Sequence, residues 1–115
     1  MTCQRRHIRK VRKTGTVFSA GQECDVAYVD ELTGAHHGQT DHELMIKAGK
    51  KIRGYIQYSL FNDGLYIKMI QVLRPYWRKG WATAMVKYLR QQYPNKTIHW
   101  GYATDSGSKF IKSLR

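Results

Sequence analysis

The spacing of hydrophobic and polar positions changes near residue 74, and this change predicts strands before that point and a long helix after it. Residues 14–73 contain short apolar runs rich in β-branched and aromatic types, which are typical of strands. From about residue 78 to about residue 93, apolar side chains recur every three or four positions, which predicts an amphipathic helix ended by Pro94 and Asn95. Its apolar face comprises Trp81, Met85, Tyr88 and Leu89.

The first part of the chain divides into several short predicted elements. Residues 16–18 and 25–30 predict two strands around a turn at residues 20–22, and Val26, Tyr28 and Asp30 fall on one side of the second strand. Residues 32–42 are rich in glycine, threonine and histidine and predict a loop. Residues 44–47 and 52–60 predict a hairpin, and a turn at residues 62–64 leads into a strand at residues 65–73, which Pro75 ends.

Residues 97–103 predict a last strand, and the helix that connects it to residues 65–73 makes these two strands parallel. His99, Gly101 and Ala103 share one side of it, where the small residues either leave room for a ligand or allow close helix packing. Residues 105–115 predict a second helix. The predicted fold class is therefore α+β, with a mostly antiparallel sheet, one parallel strand pair, and helices packed on the sheet.

The predicted loop before the long helix has the chemistry of a phosphate site. Gly80 lacks a Cβ, so a ligand can approach the backbone where the first helical turn leaves N–H groups unpaired. These groups and the helix dipole attract phosphate, and Arg78 and Lys79 add positive charge. A solvated helix start with a capping glycine fits the same residues. The sequence contains neither a P-loop nor a dinucleotide-binding fingerprint.

This order of strand, basic loop and helix resembles motif A of the GNAT superfamily of acyl-CoA N-acyltransferases, over residues 65–92. The motif is usually written Gln/Arg-x-x-Gly-x-Gly/Ala. Gly80 and Ala82 match its last two fixed positions, whereas Trp77 stands where Gln or Arg is usual. The resemblance extends from about residue 44 to the end of the chain. It implies a small GNAT-like fold whose two parallel strands splay apart at the cosubstrate site.

The resemblance implies an N-acyltransferase that uses acetyl-CoA, or another acyl-CoA, as cosubstrate. The loop would then hold the pyrophosphate, and the strand before it would bind the pantetheine arm through its backbone. The implied binding residues are Ile70, Val72, Trp77, Arg78, Lys79, Gly80, Trp81, Ala82 and Thr83. At 115 residues the chain is short for this family, so we expect it to lack the first two helices, which often shape the acceptor pocket.

The implied reaction is attack of a neutral amine on a thioester, which requires a base for the amine and an acid for the thiolate. The glutamate and the tyrosine that are frequent in the family have no match here. Residues 65–73 contain no acid, and Ile111 stands at the position aligned with the tyrosine. The candidate bases are Asp105, His99 and Glu43, and the candidate acids are Tyr102 and Tyr66. Ordinary strand packing is the alternative interpretation of His99 and Tyr102.

The formal net charge of +12 is distributed unevenly and suggests a second partner. Residues 1–13 carry +6, residues 14–46 carry −6, and residues 47–115 carry +12. The basic last part suits coenzyme A, but one ligand does not require so many cations. Nucleic acid is therefore a further candidate partner, against the alternative of a solvated surface. Tyr76 and Trp77, between Arg74 and Arg78, are candidates for stacking on bases.

Residues 1–13 predict a basic arm that is solvated, helical or paired as a first strand, and residues 14–115 predict a single domain. No apolar run predicts a membrane span or a signal segment. Cys3 and Cys24 predict no disulfide framework, so we expect a reduced, cytoplasmic protein. The histidines and acid of residues 36–42 match no standard metal spacing, and we expect no metal site. The family resemblance also makes a homodimer a candidate state.

Three functional hypotheses follow from the sequence. The first is an acyl-CoA N-acyltransferase whose amine acceptor is unknown; the anionic residues 31–43 would suit a cationic amine. The second is a GNAT-fold protein that modifies or binds nucleic acid, such as a tRNA-linked amine or a DNA base. The third is a non-catalytic basic binding module. Binding of an acyl-CoA separates the first two hypotheses from the third.

Overall fold

The computed structural model describes residues 10–19, 21–73 and 80–101. These residues form six strands and one helix. In chain order they are β1 (Lys10–Ser19), β2 (Gln22–His36), β3 (Gln39–Ala48), β4 (Lys51–Leu60), β5 (Gly64–Val72), α1 (Trp81–Gln92) and β6 (Thr97–Trp100). No helix among them is both long enough and apolar enough to cross a membrane.

All six strands belong to one sheet, and their order in space is their order in the sequence. β1 to β5 pair antiparallel with their neighbours, and β6 pairs parallel with β5. The predicted mostly antiparallel sheet with one parallel pair is therefore confirmed. One described helix packs on this sheet, while the second predicted helix, residues 105–115, lies outside the described residues.

The predicted loop at residues 32–42 is wrong, because both strands of a long hairpin run through it. β2 continues to His36, His37 and Gly38 form the turn, and β3 starts at Gln39. The polar composition suggested a loop, but in the folded chain the backbone groups pair across the hairpin. Gly38 adopts φ 68°, which a tight turn requires and glycine tolerates. Residues 10–19 and 21–73 contain no helix.

The helix starts at Trp81, three residues later than about residue 78 as predicted. Gly80 has φ 86° and ψ 0°, a left-handed conformation that cannot belong to a right-handed helix, so it caps α1 instead. At the other end of the chain, β1 already includes Lys10 to Lys13, the last four residues of the predicted basic arm. The strand alternative holds for those four residues, while residues 1–9 lie outside the described ranges.

The hydrophobic core lies between α1 and one face of the sheet, which we call the helix face. Alternate residues of the central strands point into it and are fully buried, as the period of two requires. They include Leu44, Ile46, Ile56, Tyr58 and Leu65, against Met85, Val86 and Leu89 of α1. The predicted apolar face of the helix is confirmed, since Trp81, Met85, Tyr88 and Leu89 are all buried. The opposite side of the sheet, which carries Glu43, Gln57, Ser59, Tyr66 and His99, is called the open face.

A β-bulge interrupts β5 at Lys68, one residue beyond its last described pair with β6. Gln57 pairs with Met69 and Tyr58 pairs with Ile67, so Lys68 is an extra residue on β5. A bulge bends its strand and increases the local twist. The described pairing of β5 with β6 reaches Ile67 and Trp100, and the Gly101 N–H donates to the Ile67 carbonyl at 3.0 Å, immediately before this bulge. β5 continues to Val72, whereas the residues after Gly101 lie outside the described ranges.

Candidate functional site

The junction of β5 and α1 presents the exposed N-terminus of a helix. Gly80 is exposed, no side chain caps the first turn, and that turn contains no acid. The first α-helical bond described here is donated by the Ala84 N–H to the Gly80 carbonyl at 3.0 Å. The N–H groups of Trp81, Ala82 and Thr83 precede that bond and point out of the helix end. Their dipoles and the absence of negative charge make this end suitable for a phosphate group.

The side chains of the first turn divide between core and surface. Trp81 is only 3% exposed, and the Arg53 guanidinium lies 5.4 Å from the centre of its ring. Trp81 can therefore offer a ligand its backbone N–H but not its ring. Ala82 and Thr83 are half-buried. Of the predicted loop cations, Arg78 and Lys79 lie outside the described residues, as does Trp77.

The strand predicted to bind pantetheine, β5, is the element that precedes this helix in the chain. Ile70 and Val72 lie in the last part of β5, beyond its described pairing with β6, and both side chains pack against the core. Their side chains are thus committed to packing, and only backbone groups are offered to a ligand. The structure thus places Ile70 and Val72 on β5, and Gly80, Trp81, Ala82 and Thr83 at the start of the helix that follows this strand in the chain.

His99 and Tyr66 form a stacked pair on the open face, two residues before the Lys68 bulge of β5. They are opposite each other in the parallel register, with ring centres 4.5 Å apart and an interplanar angle of 16°. Phe61 packs edge-on against Tyr66 at 5.0 Å. A Cβ on Gly64 would lie 2.8 Å from His99 Cδ2, so glycine there lets the imidazole sit flat on the strand. An imidazole and a phenol are thus held one residue before the last described pair. The candidates Asp105 and Tyr102 lie outside the described residues.

Glu43 lies on the open face, on β3, two strands away from β5. It accepts a hydrogen bond from Gln57 Nε2 at 3.4 Å and is directly opposite Glu31 on β2. Two carboxylates facing each other across strands repel. Lys10 Nζ, 3.9 Å from Glu31, offsets part of that repulsion. Glu43 and Glu31 give this part of the open face its negative charge.

Sequence reasoning missed a polar cluster centred on Asp41. This carboxylate accepts hydrogen bonds from Ser59 Oγ at 2.6 Å, from Gln39 Nε2 at 2.8 Å and from Lys68 Nζ at 3.2 Å, and His36 Nε2 lies 2.8 Å away. The hydrogen bonds from Ser59 and Gln39 hold the pKa of Asp41 well below its usual range. The ionised carboxylate thereby anchors Lys68, the bulge residue. The strand register alone brings these side chains together, so no sequence motif marks them.

A second missed cluster lies on the helix face. Asp30 is 8% exposed, and both of its oxygens accept hydrogen bonds from the Tyr58 hydroxyl, at 2.7 and 2.8 Å. Tyr93 approaches Tyr58 with its hydroxyl at 3.4 Å, and His42 stacks on Tyr58 at 4.9 Å. Burial raises the pKa of Asp30, which the Tyr58 hydrogen bond partly offsets, and burial lowers the pKa of His42. The sequence does contain a signal for this cluster. Asp30 falls on the same side of its strand as Val26 and Tyr28, and a charged residue on an apolar face needs a partner.

The histidines of the β2–β3 hairpin do not converge on a metal. His36 pairs with Asp41 on the open face, whereas His42 points to the helix face and its Nε2 lies 2.7 Å from Thr40 Oγ1. His37 lies in the turn. Across residues 10–19, 21–73 and 80–101, no group of three or more histidine, cysteine or acidic side chains is arranged to hold a metal ion.

Comparison with curated proteins finds no match, and comparison with solved structures finds none either. The profile of the Acetyltransferase (GNAT) family matches residues 8–106. This match covers most of the chain, from the start of the sheet through β6, and includes the β5–α1 junction. On this evidence the chain belongs to the GNAT family of acetyltransferases.

Proposed function

We propose that this protein is an N-acyltransferase that transfers the acyl group of acetyl-CoA, or of a related acyl-CoA, to an amine. One observation carries the proposal. Within the family match, β5 is followed along the chain by an acid-free helix N-terminus at Gly80, which has no side-chain cap among the described residues. Such a helix end suits a pyrophosphate, and an adjoining strand edge suits a chain of amides such as pantetheine.

In this arrangement the pyrophosphate accepts hydrogen bonds from backbone N–H groups at Trp81, Ala82 and Thr83. Because Gly80 lacks a Cβ, the pyrophosphate can approach the backbone closely. The left-handed conformation of Gly80 ends the preceding chain direction and starts α1 at Trp81. The pantetheine arm then extends along β5 past Val72 and Ile70 towards Lys68. The thioester would then lie near the bulge at Lys68.

The reacting amine would meet the thioester beside His99 and Tyr66. The amine nitrogen attacks the thioester carbon, the carbon–sulfur bond breaks, and the sulfur leaves as a thiolate. We assign His99 as the base that takes the amine proton, directly or through water, and Tyr66 as the donor that protonates the thiolate. Both lie on the open face close to the Lys68 bulge, whereas Glu43 lies on β3, two strands away from β5. This position supports the His99–Tyr66 pair over Glu43 among the described residues. Asp105 and Tyr102 remain candidates from the sequence.

The acceptor is proposed as a cationic amine that approaches over the open face. Glu31, Glu43 and Asp41 give that face negative charge, and no helix of the described residues covers it. A two-residue turn, at His37 and Gly38, joins β2 to β3, and Gln57 and Tyr66 on this face are exposed, whereas Ser59 is fully buried. An open face accommodates a large or extended acceptor, such as an amine carried on a macromolecule. Whether the protein acts as a homodimer stays a prediction.

Acetyl-CoA binding measured by calorimetry tests the proposal, on the wild type and on Gly80→Glu. The introduced carboxylate would repel phosphate at the helix end and strain the left-handed backbone. Gly49→Glu is the matched control, because Gly49 has φ 64° in the β3–β4 turn and open space around its Cα. We expect binding by the wild type and by Gly49→Glu, and none by Gly80→Glu.

Two outcomes would contradict the proposal. If neither acetyl-CoA nor free coenzyme A binds the wild type, the acyltransferase hypothesis fails and a non-catalytic binding module remains. If Gly80→Glu binds as tightly as the wild type, the site lies elsewhere. Once binding is established, release of the coenzyme thiol in the presence of amine acceptors measures turnover. We expect His99→Gln to lower kcat with little change in acetyl-CoA affinity.

A further inference from the structure

A groove of ≈ 520 Å³ runs along α1 between the helix and β1, the edge strand of the sheet. One wall is a single stripe of the helix, at three- and four-residue spacing: Gly80, Thr83, Ala84, Lys87, Tyr88 and Gln91. Residues 13–17 of β1 form the other wall, and Tyr28 lies beneath them. The groove follows a helix of 12 residues, which is about 18 Å long.

The lining of this groove is cationic and rich in hydrogen-bond donors. Lys13 and Lys87 contribute ammonium groups from opposite walls, and Thr83 contributes a hydroxyl from the helix. The Lys13 Nζ donates to Gln92 Oε1 at 2.9 Å, which holds the ammonium at the mouth of the groove. No carboxylate lines it among the residues that the structure describes. Such a lining suits a ligand with repeated negative charges and oxygen acceptors.

The sheet keeps its negative charges away from the groove. On β2, the exposed acids Glu23 and Asp25 alternate with residues that pack into the core, and Glu31 likewise faces the open side. Asp30 does lie on the helix face, but it is buried and accepts two hydrogen bonds from Tyr58. Cations of the groove and anions of the open face are thus on opposite sides of one sheet.

The floor of the groove is aromatic. Tyr28 and Tyr88 stack with ring centres 4.8 Å apart and an interplanar angle of 17°, and Tyr28 is only half-buried. A flat aromatic surface between two ammonium groups can receive a sugar or the edge of a base while the lysines hold phosphates. This combination distinguishes the groove from a general solvated cationic surface.

The size of the groove restricts the form of the ligand. A volume of ≈ 520 Å³ spread along about 18 Å leaves a cross-section of about 30 Å². This cross-section admits one extended chain. A duplex is too wide to enter, since its major groove alone is about 12 Å wide. We propose that the β1–α1 groove binds the sugar–phosphate backbone of single-stranded nucleic acid. This proposal does not depend on acyl transfer.

The test is fluorescence anisotropy of a labelled single-stranded oligonucleotide over a series of salt concentrations. The double variant Lys13→Ala/Lys87→Ala removes both groove cations. Lys50→Ala/Lys51→Ala is the matched control, because it removes two exposed cations at the β3–β4 turn. For two lost phosphate contacts we expect the groove variant to bind about tenfold more weakly at moderate salt, with a salt slope smaller by about 1.4. The control should stay within about twofold of the wild type.

A conservative variant keeps the test decisive if the alanine variant folds poorly. Lys13→Arg/Lys87→Arg retains the charges and should bind like the wild type, and the single Lys87→Glu should weaken binding further than Lys87→Ala. Equal losses in the groove and control variants would overturn the proposal. Equal affinity for a duplex of the same length would also overturn it. A groove variant that loses coenzyme A binding but keeps the oligonucleotide would assign the groove to the cosubstrate instead.

Discussion

The hydrogen bonds from Tyr58 to Asp30 offer a sharp test of how the sheet holds a buried charge. Tyr58→Phe removes one hydroxyl that lies 2.7 and 2.8 Å from the two carboxylate oxygens, and it changes no apolar contact. A hydrogen bond to a charged group contributes about 1.5–3 kcal/mol, and an abandoned buried carboxylate adds a desolvation cost. We therefore expect Tyr58→Phe to lower the free energy of unfolding at pH 7 by about 2–3 kcal/mol.

The loss should also depend on pH in a defined direction. Burial raises the pKa of Asp30 and the Tyr58 hydrogen bond lowers it, so the variant raises this pKa further. A carboxyl group whose folded pKa lies above its unfolded value loses stability as pH rises through that window. The variant widens the pH range between the unfolded and the folded pKa of Asp30. The loss of unfolding free energy relative to the wild type should therefore grow from pH 4 to pH 7. At pH 4, where more of the carboxyl is protonated, the loss should be smaller.

Urea unfolding followed by circular dichroism at both pH values measures these free energies. Tyr55→Phe is the matched control, because the Tyr55 hydroxyl donates to Gln71 Oε1 at 2.7 Å on the open face, near water. It should cost about 0.5 kcal/mol at either pH. A loss below about 0.5 kcal/mol for Tyr58→Phe, or a loss equal at pH 4 and pH 7, would refute the reasoning. In an Asp30→Asn background, the same tyrosine change should cost only about 1 kcal/mol, since no buried charge remains.

Two further variants probe the neighbourhood of the site. Gly54→Ala would place a Cβ 2.7 Å from the Gln71 carbonyl oxygen and should lower stability by about 1–3 kcal/mol in urea unfolding; Gly15→Ala, whose Cβ meets a neighbour only at 3.4 Å, should change it little. Asp41→Asn should destabilise the protein at neutral pH, because the pKa of Asp41 lies below its unfolded value. That deficit should shrink as pH falls below about 4; thermal unfolding from pH 7 to pH 2 checks it, and a deficit as large at pH 2 as at pH 7 contradicts the assignment.

Local patterns were enough to predict the central elements of the fold. The hairpin of β3 and β4, the turn before β5, the apolar face of α1 and the parallel placement of β6 all follow from spacing, turn residues and connection rules. These features depend on neighbours in sequence, where side-chain period and glycine position carry the information. The family resemblance rested on Gly80 and Ala82, and the profile match over residues 8–106 confirms it.

Other features depend on contacts between distant residues, and the tertiary structure alone decided them. The β2–β3 hairpin extends through a polar stretch because its backbone finds partners across the hairpin. The Asp41 cluster unites residues from four strands, and the Lys68 bulge shifts the register between β4 and β5. The sequence alone determines the charges and the local periods of this protein. Strand register and bulges determine which of those charges meet, because they assemble groups that the sequence keeps tens of residues apart.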